Sequence, residues 1–328
     1  MSATAAAPPR LLPLRRLLGN GTLIVAVIYA ALFAIFAARQ RDALSQTGVT
    51  DLFNNALPLA LAAAGGSLVV LTRGFDLSVA GIVALCNVLM ATVVGDGPAG
   101  ALEGLAIVIA IGLAVGAGHG ILVAYVRLQS IAATLATMII TSGLALLVLD
   151  APGGNVPDFV ANDLTDVMFG RIPVAAVIAL VLVLLWLVLR RTDWGVALYA
   201  VGADETAAGL AGIPTRRVKF FAYCLAGVFY GLSGYMLSAL TATGNPNAGD
   251  SYLLLTFAAI AIGGTSFAGG RGGMVGAMIG AATLTLLQKV LFSTGVSSFY
   301  TGIFQGLVMV VAVLIAAVSD RFAREKRA

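Results

Sequence analysis

The sequence contains few side chains that could do acid–base or metal chemistry. It has one histidine, His119, and both cysteines, Cys86 and Cys224, lie within apolar runs. These three residues cannot build a metal site by themselves, and no Gly-x-x-x-x-Gly-Lys-Ser/Thr phosphate loop is present in the sequence. We therefore predict no catalytic residue, no metal and no cofactor in this chain, so that any ATP and Mg²⁺ would have to be bound by a separate chain.

Several titratable residues lie within or beside the apolar runs, among them His119, Asp76 and Glu103. A lone histidine in an apolar run usually makes a hydrogen bond between helices, and a proton relay or a solute contact is the alternative. Asp76 belongs to a Gly-Phe-Asp-Leu-Ser turn, where aspartate is a favoured N-cap residue for the helix that follows. We expect Glu103 and Lys289, near the ends of apolar runs, to reach the membrane interface.

Neutral polar side chains within the apolar runs are the candidates for contact with a solute. An uncharged, hydroxyl-rich solute needs hydrogen-bond donors and acceptors but no fixed charge. For each candidate the alternative is a hydrogen bond between helices. The predicted translocation-path residues are Asn54, Asn55, Asn87, Thr134, Thr137, Thr141, Thr256 and Gln288.

A basic segment over residues 190–219 interrupts the apolar pattern and contains five of the 19 basic residues. At its centre, acidic residues in a predicted first turn complement the helix dipole, small residues follow, and glycine then proline end the helix. This pattern predicts a slim helix on which a soluble partner could dock, with an ordinary loop helix as the alternative. The predicted docking residues are Asp204, Glu205, Ala207, Ala208 and Gly212.

The composition predicts that these candidate residues are carried by membrane-spanning helices. Sixty per cent of the residues are hydrophobic and 10% are charged, whereas soluble domains have about 25% charged residues. We predict an all-α polytopic membrane protein with about ten transmembrane helices, in a single domain over residues 21–318 between an N-terminal segment 1–20 and a basic tail 319–328. The predicted spans are Gly21–Ala37, Ala56–Thr72, Ser78–Gly95, Leu105–Val126, Ile131–Leu149, Ile172–Leu189, Val218–Leu240, Leu253–Phe267, Met274–Leu291 and Phe299–Val318.

The charge distribution predicts the orientation. With ten spans and a cytoplasmic N-terminus, 15 basic residues are cytoplasmic and 4 are external, in agreement with the positive-inside rule. Both termini and the basic segment 190–219 are then cytoplasmic. The high pI of about 9.3 follows from this topology, and we predict no nucleic-acid partner.

Two glycine-rich breaks interrupt the spans. The first break is Arg73-Gly-Phe-Asp-Leu-Ser, and the second break is Ile262-Gly-Gly-Thr-Ser-Phe-Ala-Gly-Gly-Arg-Gly-Gly. An offset of five spans relates spans 2–5 to spans 7–10, which predicts an inverted repeat. We expect the two breaks to lie near the cytoplasmic face, at matching places in the two halves. Each break is either a tight turn or a broken helix beside the path. The predicted structural-turn residues are Gly74, Asp76, Gly263, Gly264, Gly269 and Gly270.

Several motifs resemble the ribose-type, monosaccharide permeases of ABC importers, in order along most of the chain. They are Gly74-Phe-Asp-Leu-Ser-Val, Gln129-Ser-Ile-Ala-Ala-Thr, Thr192-Asp-Trp-Gly, Asn245-Pro-Asn-Ala-Gly and Ala258-Ala-Ile-Ala-Ile-Gly-Gly-Thr-Ser. The resemblance implies a type II ABC importer-like fold in the bacterial inner membrane, with the docking helix as the coupling helix. It also implies three partners: an ABC ATPase, a periplasmic sugar-binding protein, and a second permease copy or paralogue. The chain departs from the family pattern at three places. Family members commonly carry asparagine near His119, acids near Leu253 and Leu255, and asparagines near Gln288 and Lys289. These departures bear on which solute is carried.

Other functions remain open from the sequence. The solute could be a branched-chain amino acid, urea, a nucleoside or a polyol, although the few intramembrane charges favour a neutral molecule. A secondary transporter that uses His119, Glu103 and Asp76 for a coupling ion is a second alternative. A passive channel is a third.

Overall fold

The computed structural model describes residues 21–293 and the single positions 300, 303, 306, 307 and 310. The apolar runs of this part form eleven α-helices. They are α1 (Gly21–Arg39), α2 (Gln46–Leu71), α3 (Val79–Thr92), α4 (Gly97–Gly120), α5 (Ser130–Val148), α6 (Val174–Leu189), α7 (Asp193–Ala203), α8 (Glu205–Leu210), α9 (Thr215–Thr241), α10 (Asp250–Ile262) and α11 (Met274–Ser293). A π-helical turn, Ile121–Tyr125, extends α4, and another spans Phe159–Asp163.

Two long helices, α2 and α9, form the centre of the bundle. Helix α9 packs against α4, α2 and α3, and α11 packs against α2, α1 and α10. Small residues permit the closest approach, since a Cβ atom placed on Gly112 of α4 would lie 2.2 Å from the carbonyl oxygen of Gly227 in α9. This backbone contact is the kind that glycine provides between membrane helices.

Six helices are long and apolar enough to cross a membrane: α1, α2, α4 with its π-turn, α5, α9 and α11. Helices α6 and α7 form a pair bent by 78° that could count as a seventh. The described part is thus a polytopic membrane protein. The tenth predicted span, Phe299–Val318, lies almost wholly outside the described residues.

Several predicted spans have different bounds in the structure. Helix α2 begins ten residues before the predicted Ala56, because a polar turn capped by Ser45 precedes the apolar run. Helices α3 and α10 have only 14 and 13 residues. At 1.5 Å per residue each is about 20 Å long, which is less than the bilayer core of about 30 Å. Both are shorter than predicted because non-helical segments adjoin them.

The connecting segments lie at two opposite faces of the bundle. One face, here called the basic face, contains residues 72–78, 126–129, 190–214 and 263–273 and the N-terminal end of α9. It has eight basic residues in the described part: Arg73, Arg127, Arg190, Arg191, Arg216, Arg217, Lys219 and Arg271. The opposite face contains residues 40–45, 93–96 and 149–173 and the start of segment 242–249, which then runs along α3 so that Gly249 approaches Ala80. There the short strands Val167–Met168 and Ile172–Pro173 pair in an antiparallel hairpin, and Gly153 forms a bridge with Gly244.

Candidate functional site

The predicted docking helix exists as α8, at the basic face. Asp204 is its N-cap, with φ −159° and ψ 109°, and the Asp204 Oδ1 atom accepts a hydrogen bond of 2.9 Å from the backbone N–H of Ala207. The prediction placed Asp204 inside the first turn, so its position is corrected by one residue. Glu205 is the first residue of the helix and forms a salt bridge with Lys219 of α9. Both acidic side chains therefore stabilise α8 at its positive end.

The other end of α8 has the predicted glycine stop. Gly212 adopts φ +84°, and the N–H groups of Gly212 and Ile213 donate to the carbonyls of Gly209 and Ala208, both at 3.0 Å. These two bonds form a Schellman motif, in which glycine at the left-handed position is favoured. The helix end is thus fixed by backbone geometry.

Helix α8 is largely exposed. Leu210 is 87% exposed and Ala207 is also exposed, whereas Ala208 is only 5% exposed. Ala208 therefore packs on its own chain and offers little surface to a partner, contrary to its place among the predicted docking residues. The exposed surface of α8 is a short apolar and small-residue ridge.

Arg73 joins the first break to the segment that precedes α8. Its Nε atom donates a hydrogen bond of 2.8 Å to the carbonyl of Gly202, and its Nη2 atom donates to the carbonyl of Ala203. These carbonyls end α7, where the negative end of the helix dipole favours a cation. Arg73 was not among the predicted site residues.

The second break contacts the same junction. The N–H of Gly270 donates to the carbonyl of Leu71 at 3.0 Å, and a Cβ atom on Gly202 would lie 1.8 Å from that carbonyl oxygen. Gly264, Gly269 and Gly270 adopt positive φ, as expected of turn residues. Gly263 has φ −64° and is required instead for its close approach to Gly276. The two breaks and the α7–α8 boundary thus form one packed junction.

The prediction that the two breaks occupy matching places in the two halves is wrong. Residues 72–78 separate α2 from α3, whereas residues 263–273 separate α10 from α11. With an offset of five spans, the counterpart of the first break is the segment between α9 and α10, which begins at the opposite face. The two breaks are nevertheless neighbours in space. Phe75 of the first break and Phe267 of the second stack with ring centroids 5.8 Å apart.

Asp76 and His119 form a buried pair beneath this junction. The His119 Nδ1 atom lies 3.9 Å from Asp76 Oδ2, and both side chains are almost fully buried. Neither ring nitrogen of His119 has a hydrogen-bond partner in the described part of the protein. The expected interhelical hydrogen bond of His119 is therefore absent there. Its ring instead contacts Tyr223 edge to face, with centroids 6.2 Å apart.

Asp76 was predicted to be the N-cap residue of the next helix, and this prediction is wrong. Ser78 occupies that position, and Asp76 Oδ1 accepts hydrogen bonds from the Ser78 N–H at 3.0 Å and the Ser78 hydroxyl at 2.6 Å. Asp76 closes a local turn ahead of the helix. Such side-chain-to-backbone bonds compete with helix formation and fix the break.

Most of the predicted path residues use their polar side chains for hydrogen bonds to other residues of the protein. Asn54 donates to the carbonyl of Thr165, Asn55 to Asp51, and Thr137 to Ala133. Asn87 donates to Ser238 and accepts from the N–H of Asn245 at 2.7 Å, so it holds the segment after α9. Among these bonds, the one from Asn87 to Ser238 joins two helices, as the alternative reading expected, whereas Asn55 and Thr137 bond within their own helices and Asn54 bonds to a turn.

Thr134, Thr141, Thr256 and Gln288 complete the predicted path residues. Thr134 accepts a hydrogen bond from the N–H of Leu77 at 3.1 Å, so it anchors the first break, and Thr141 donates within α5. Gln288 is partly buried on α11. The hydroxyl of Thr256 is buried without a hydrogen-bond partner among the described residues, as is that of Tyr230.

The predictions from sequence missed Arg73, Tyr223 and Tyr230. A signal for Arg73 was present, because it directly precedes the Gly-Phe-Asp-Leu-Ser turn. The two tyrosines lie in α9, seven residues apart and therefore on one face. Polar groups at helical spacing are the signal that points to them.

The chain matches the family described as the permease component of the branched-chain amino acid transport system, over residues 48–313. The ribose import permease protein RbsC of Bacillus subtilis (strain 168) is 38% identical over 267 residues, which cover 78% of this chain and 80% of the relative. RbsC of Escherichia coli (strain K12) is 36% identical over 262 residues, 78% and 81% of the two chains.

A third relative carries a different name. The autoinducer 2 import system permease protein LsrC of Yersinia enterocolitica, serotype O:8, is 32% identical over 294 residues, which cover 88% of this chain and 80% of the relative. No solved structure gives a significant match. The family match spans both helix breaks, α8 and the junction that they form.

Proposed function

The chain belongs to the family of the permease component of the branched-chain amino acid transport system, and we propose that it is the membrane-spanning permease subunit of an ATP-driven ABC importer for a monosaccharide. Two of its relatives are ribose import permeases. The resemblance of the sequence motifs to ribose-type permeases is confirmed by these relatives. The importer function follows for this chain from the family and from the exposed helix α8.

The observation that carries the proposal is the connection of α8 to both helix breaks through the junction at Arg73. Asp204 caps α8, while the two preceding carbonyls accept the hydrogen bonds of Arg73. A partner that moves α8 would pull on the first break directly and on the second break through the contact between Leu71 and Gly270. We propose this route for transmitting the closure of an ATPase to the membrane helices.

We propose that the energy source is a separate ATPase chain that binds ATP and Mg²⁺. The sequence has no phosphate loop, and α8 presents Ala207 and Leu210 at the surface. The other proposed docking residues, Asp204, Glu205 and Gly212, shape the helix and its ends. A periplasmic sugar-binding protein would supply the affinity for the solute, and a second permease copy or paralogue would complete the pathway.

The proposed architecture is ten transmembrane helices, with spans 2–5 and 7–10 as an inverted repeat and both termini in the cytoplasm of a bacterium. Two pairs of helices support the repeat. Helices α2 and α9 have 26 and 27 residues and pack together, and each precedes a short helix, α3 or α10. The concentration of basic residues at one face supports the orientation.

The proposed solute is neutral and rich in hydroxyl groups. Another small polar solute is the second candidate, because one relative is named an autoinducer 2 permease. Coupling to an ion is a further candidate that rests on the buried pair of Asp76 and His119. Glu103, its third predicted member, is exposed near the opposite face and does not join that pair.

Uptake into proteoliposomes tests the proposal. The permease is reconstituted with its partner ATPase and binding protein, and labelled ribose uptake is measured with and without internal ATP. We expect uptake only when ATP and both partners are present. Uptake by the permease alone under an imposed proton or sodium gradient would establish the ion-coupled alternative, and bidirectional flux without partners would establish a channel.

A further inference from the structure

A cavity of about 640 Å³ opens at the basic face beside α8. It lies between the first break, the end of α4, the start of α5 and the start of α9. Four basic residues contribute to its lining: Arg73, Arg127, Arg216 and Lys219. Glu205 is the one acid among the lining residues, and its charge is compensated by Lys219.

The side chains of two of these cations have no protein partner among the described residues. Arg73 is bonded to the carbonyls that end α7, whereas the guanidinium groups of Arg127 and Arg216 form no hydrogen bond or ion pair in that part of the chain. The cavity also contains hydroxyl groups, from Thr72, Ser130 and Thr215 among others. Guanidinium groups and hydroxyls together match the oxygen atoms of a phosphate group.

The backbone at two of the arginines is unusual. Arg73 and Arg127 adopt φ +64° and +65°, in the left-handed region. Each directly follows the C-cap residue of a helix, at the position that glycine normally occupies. A non-glycine residue there carries a conformational cost, and such strain concentrates at functional sites. Both strained residues are arginines, and both line the same cavity.

Two helix N-termini add positive potential to the cavity. Helix α9 begins with Thr215 and Arg216, and its N-cap, Pro214, makes no side-chain cap. Helix α5 begins with Ser130, and its N-cap, Gln129, makes none either. Neither first turn contains an acid. Cations at the positive end of a helix dipole are unfavourable, and an anion bound there would remove this conflict.

We propose that this cavity is a binding site for a phosphate group, carried either by an anionic phospholipid of the membrane leaflet or by a soluble phosphate. The positive-inside rule accounts for basic residues at this face, but it requires neither a cavity nor left-handed arginines. A bound phosphate would link the ends of α4 and α9 to the first break. It would thereby stabilise the segments against which α8 packs.

Lipid binding is tested on the full-length protein by native mass spectrometry, with phosphatidylglycerol or phosphatidylcholine added to the detergent-solubilised permease. We expect retention of phosphatidylglycerol. In the double variant Arg127→Gln/Arg216→Gln, retention should fall about tenfold or more, since charge-assisted bonds are strong. The matched control is Arg217→Gln, which removes the same charge one residue away but does not line the cavity.

The soluble source is tested by thermal unfolding of delipidated protein in sodium phosphate and in sodium chloride at equal ionic strength. Stabilisation by phosphate that depends on Arg127 and Arg216 identifies a soluble ligand, and lipid retention without it identifies the headgroup. Equal losses in Arg216→Gln and Arg217→Gln would overturn the proposal in favour of diffuse surface charge. No dependence on either anion would also overturn it.

Arg127→Gly separates binding from folding. Glycine removes the side chain and accepts the left-handed backbone. We expect this variant to melt no lower than the wild type in the absence of anions and yet to lose phosphate-dependent binding. Retained binding would contradict the role of Arg127. These measurements follow binding rather than transport, so they succeed or fail independently of the proposed importer function.

Discussion

The two helix breaks meet at one junction, but they are held in different ways. Residues 72–78 are fixed by side chains: Arg73 bonds to carbonyl groups, Asp76 accepts from Ser78, and Thr134 accepts from Leu77. Residues 263–273 also form hydrogen bonds with the side chains of Tyr199, Thr265 and Ser266, but they contain five glycines at positive φ: Gly264, Gly269, Gly270, Gly272 and Gly273.

This difference separates two tasks. The first break has a single glycine, Gly74, and the bonds of its side chains allow it to transmit a displacement from α8. A break made of glycines can be packed closely, and it can change its backbone angles at a low steric cost. We therefore expect the first break to be sensitive to removal of side-chain atoms and the second to be sensitive to their addition.

The largest effect is expected where a side chain is added to the second break. A Cβ atom on Gly272, at φ +100°, would lie 2.3 Å from Thr265 Cα. Gly272→Ala combines backbone strain with a clash against backbone, and we expect about 3 kcal/mol of destabilisation. Denaturant or thermal unfolding in detergent measures it.

Gly170→Ala is the matched control for this substitution. Gly170 also has positive φ, +68°, but a Cβ atom placed there would meet nothing within 4 Å. It should lose only about 1 kcal/mol, from the backbone term alone. Equal losses at the two positions would show that the second break is not closely packed.

The next effect is expected at Arg73 in the first break. Arg73→Gln removes the charge-assisted hydrogen bonds to Gly202 and Ala203, each worth about 1.5–3 kcal/mol. We expect ATP-driven uptake to fall about tenfold, a loss of about 1.4 kcal/mol of coupling. Arg191→Gln, an exposed residue of the same face, is the control.

Arg73→Gly distinguishes the two roles of this residue. Glycine relieves the left-handed backbone at φ +64° but keeps none of the hydrogen bonds. If coupling depends on the guanidinium group, Arg73→Gly is as defective as Arg73→Gln. Wild-type uptake by Arg73→Gly would mean that only the backbone conformation matters.

The sequence predicted those parts of the molecule that depend on local composition. Helix α8 and its glycine stop followed from the order of acidic, small and terminating residues between Asp204 and Pro214. The membrane helices followed from hydropathy. The short helices α3 and α10 did not, because an apolar run gives no sign of where its backbone leaves the helix.

The junction itself could not be predicted, because it joins residues far apart in the chain. Arg73 contacts Gly202 across more than a hundred residues, and no local pattern encodes this contact. For the same reason, Asn87 and Thr134 looked like solute contacts, although their hydrogen bonds hold other segments of the chain. Long-range pairing decides which polar side chains remain available.

The next effect, on stability and not on uptake, is expected for the anchor of the first break on α5. Thr134→Val keeps the shape of the side chain but removes the acceptor for the Leu77 N–H. We expect a loss of about 1–3 kcal/mol, because a buried N–H group is left without its partner. Thr137→Val is the control, since Thr137 bonds only within its own helix. Unfolding measurements that place the two variants together would show that Thr134 does not hold the break.

The smallest effect is expected at the end of α8, where one substitution tests whether the glycine is needed for its backbone alone. Gly212 has φ +84°, and a Cβ atom added to it would have no neighbour within 4 Å, so Gly212→Ala should lose about 1 kcal/mol without a clash. Gly209→Ala, within the same helix, should gain about 1 kcal/mol from helix propensity.

Because α8 is exposed, neither variant should alter the two breaks, and ATPase binding should change only for Gly212→Ala. Pull-down of the ATPase chain measures this, and equal binding by both variants would mean that the partner does not recognise the end of α8.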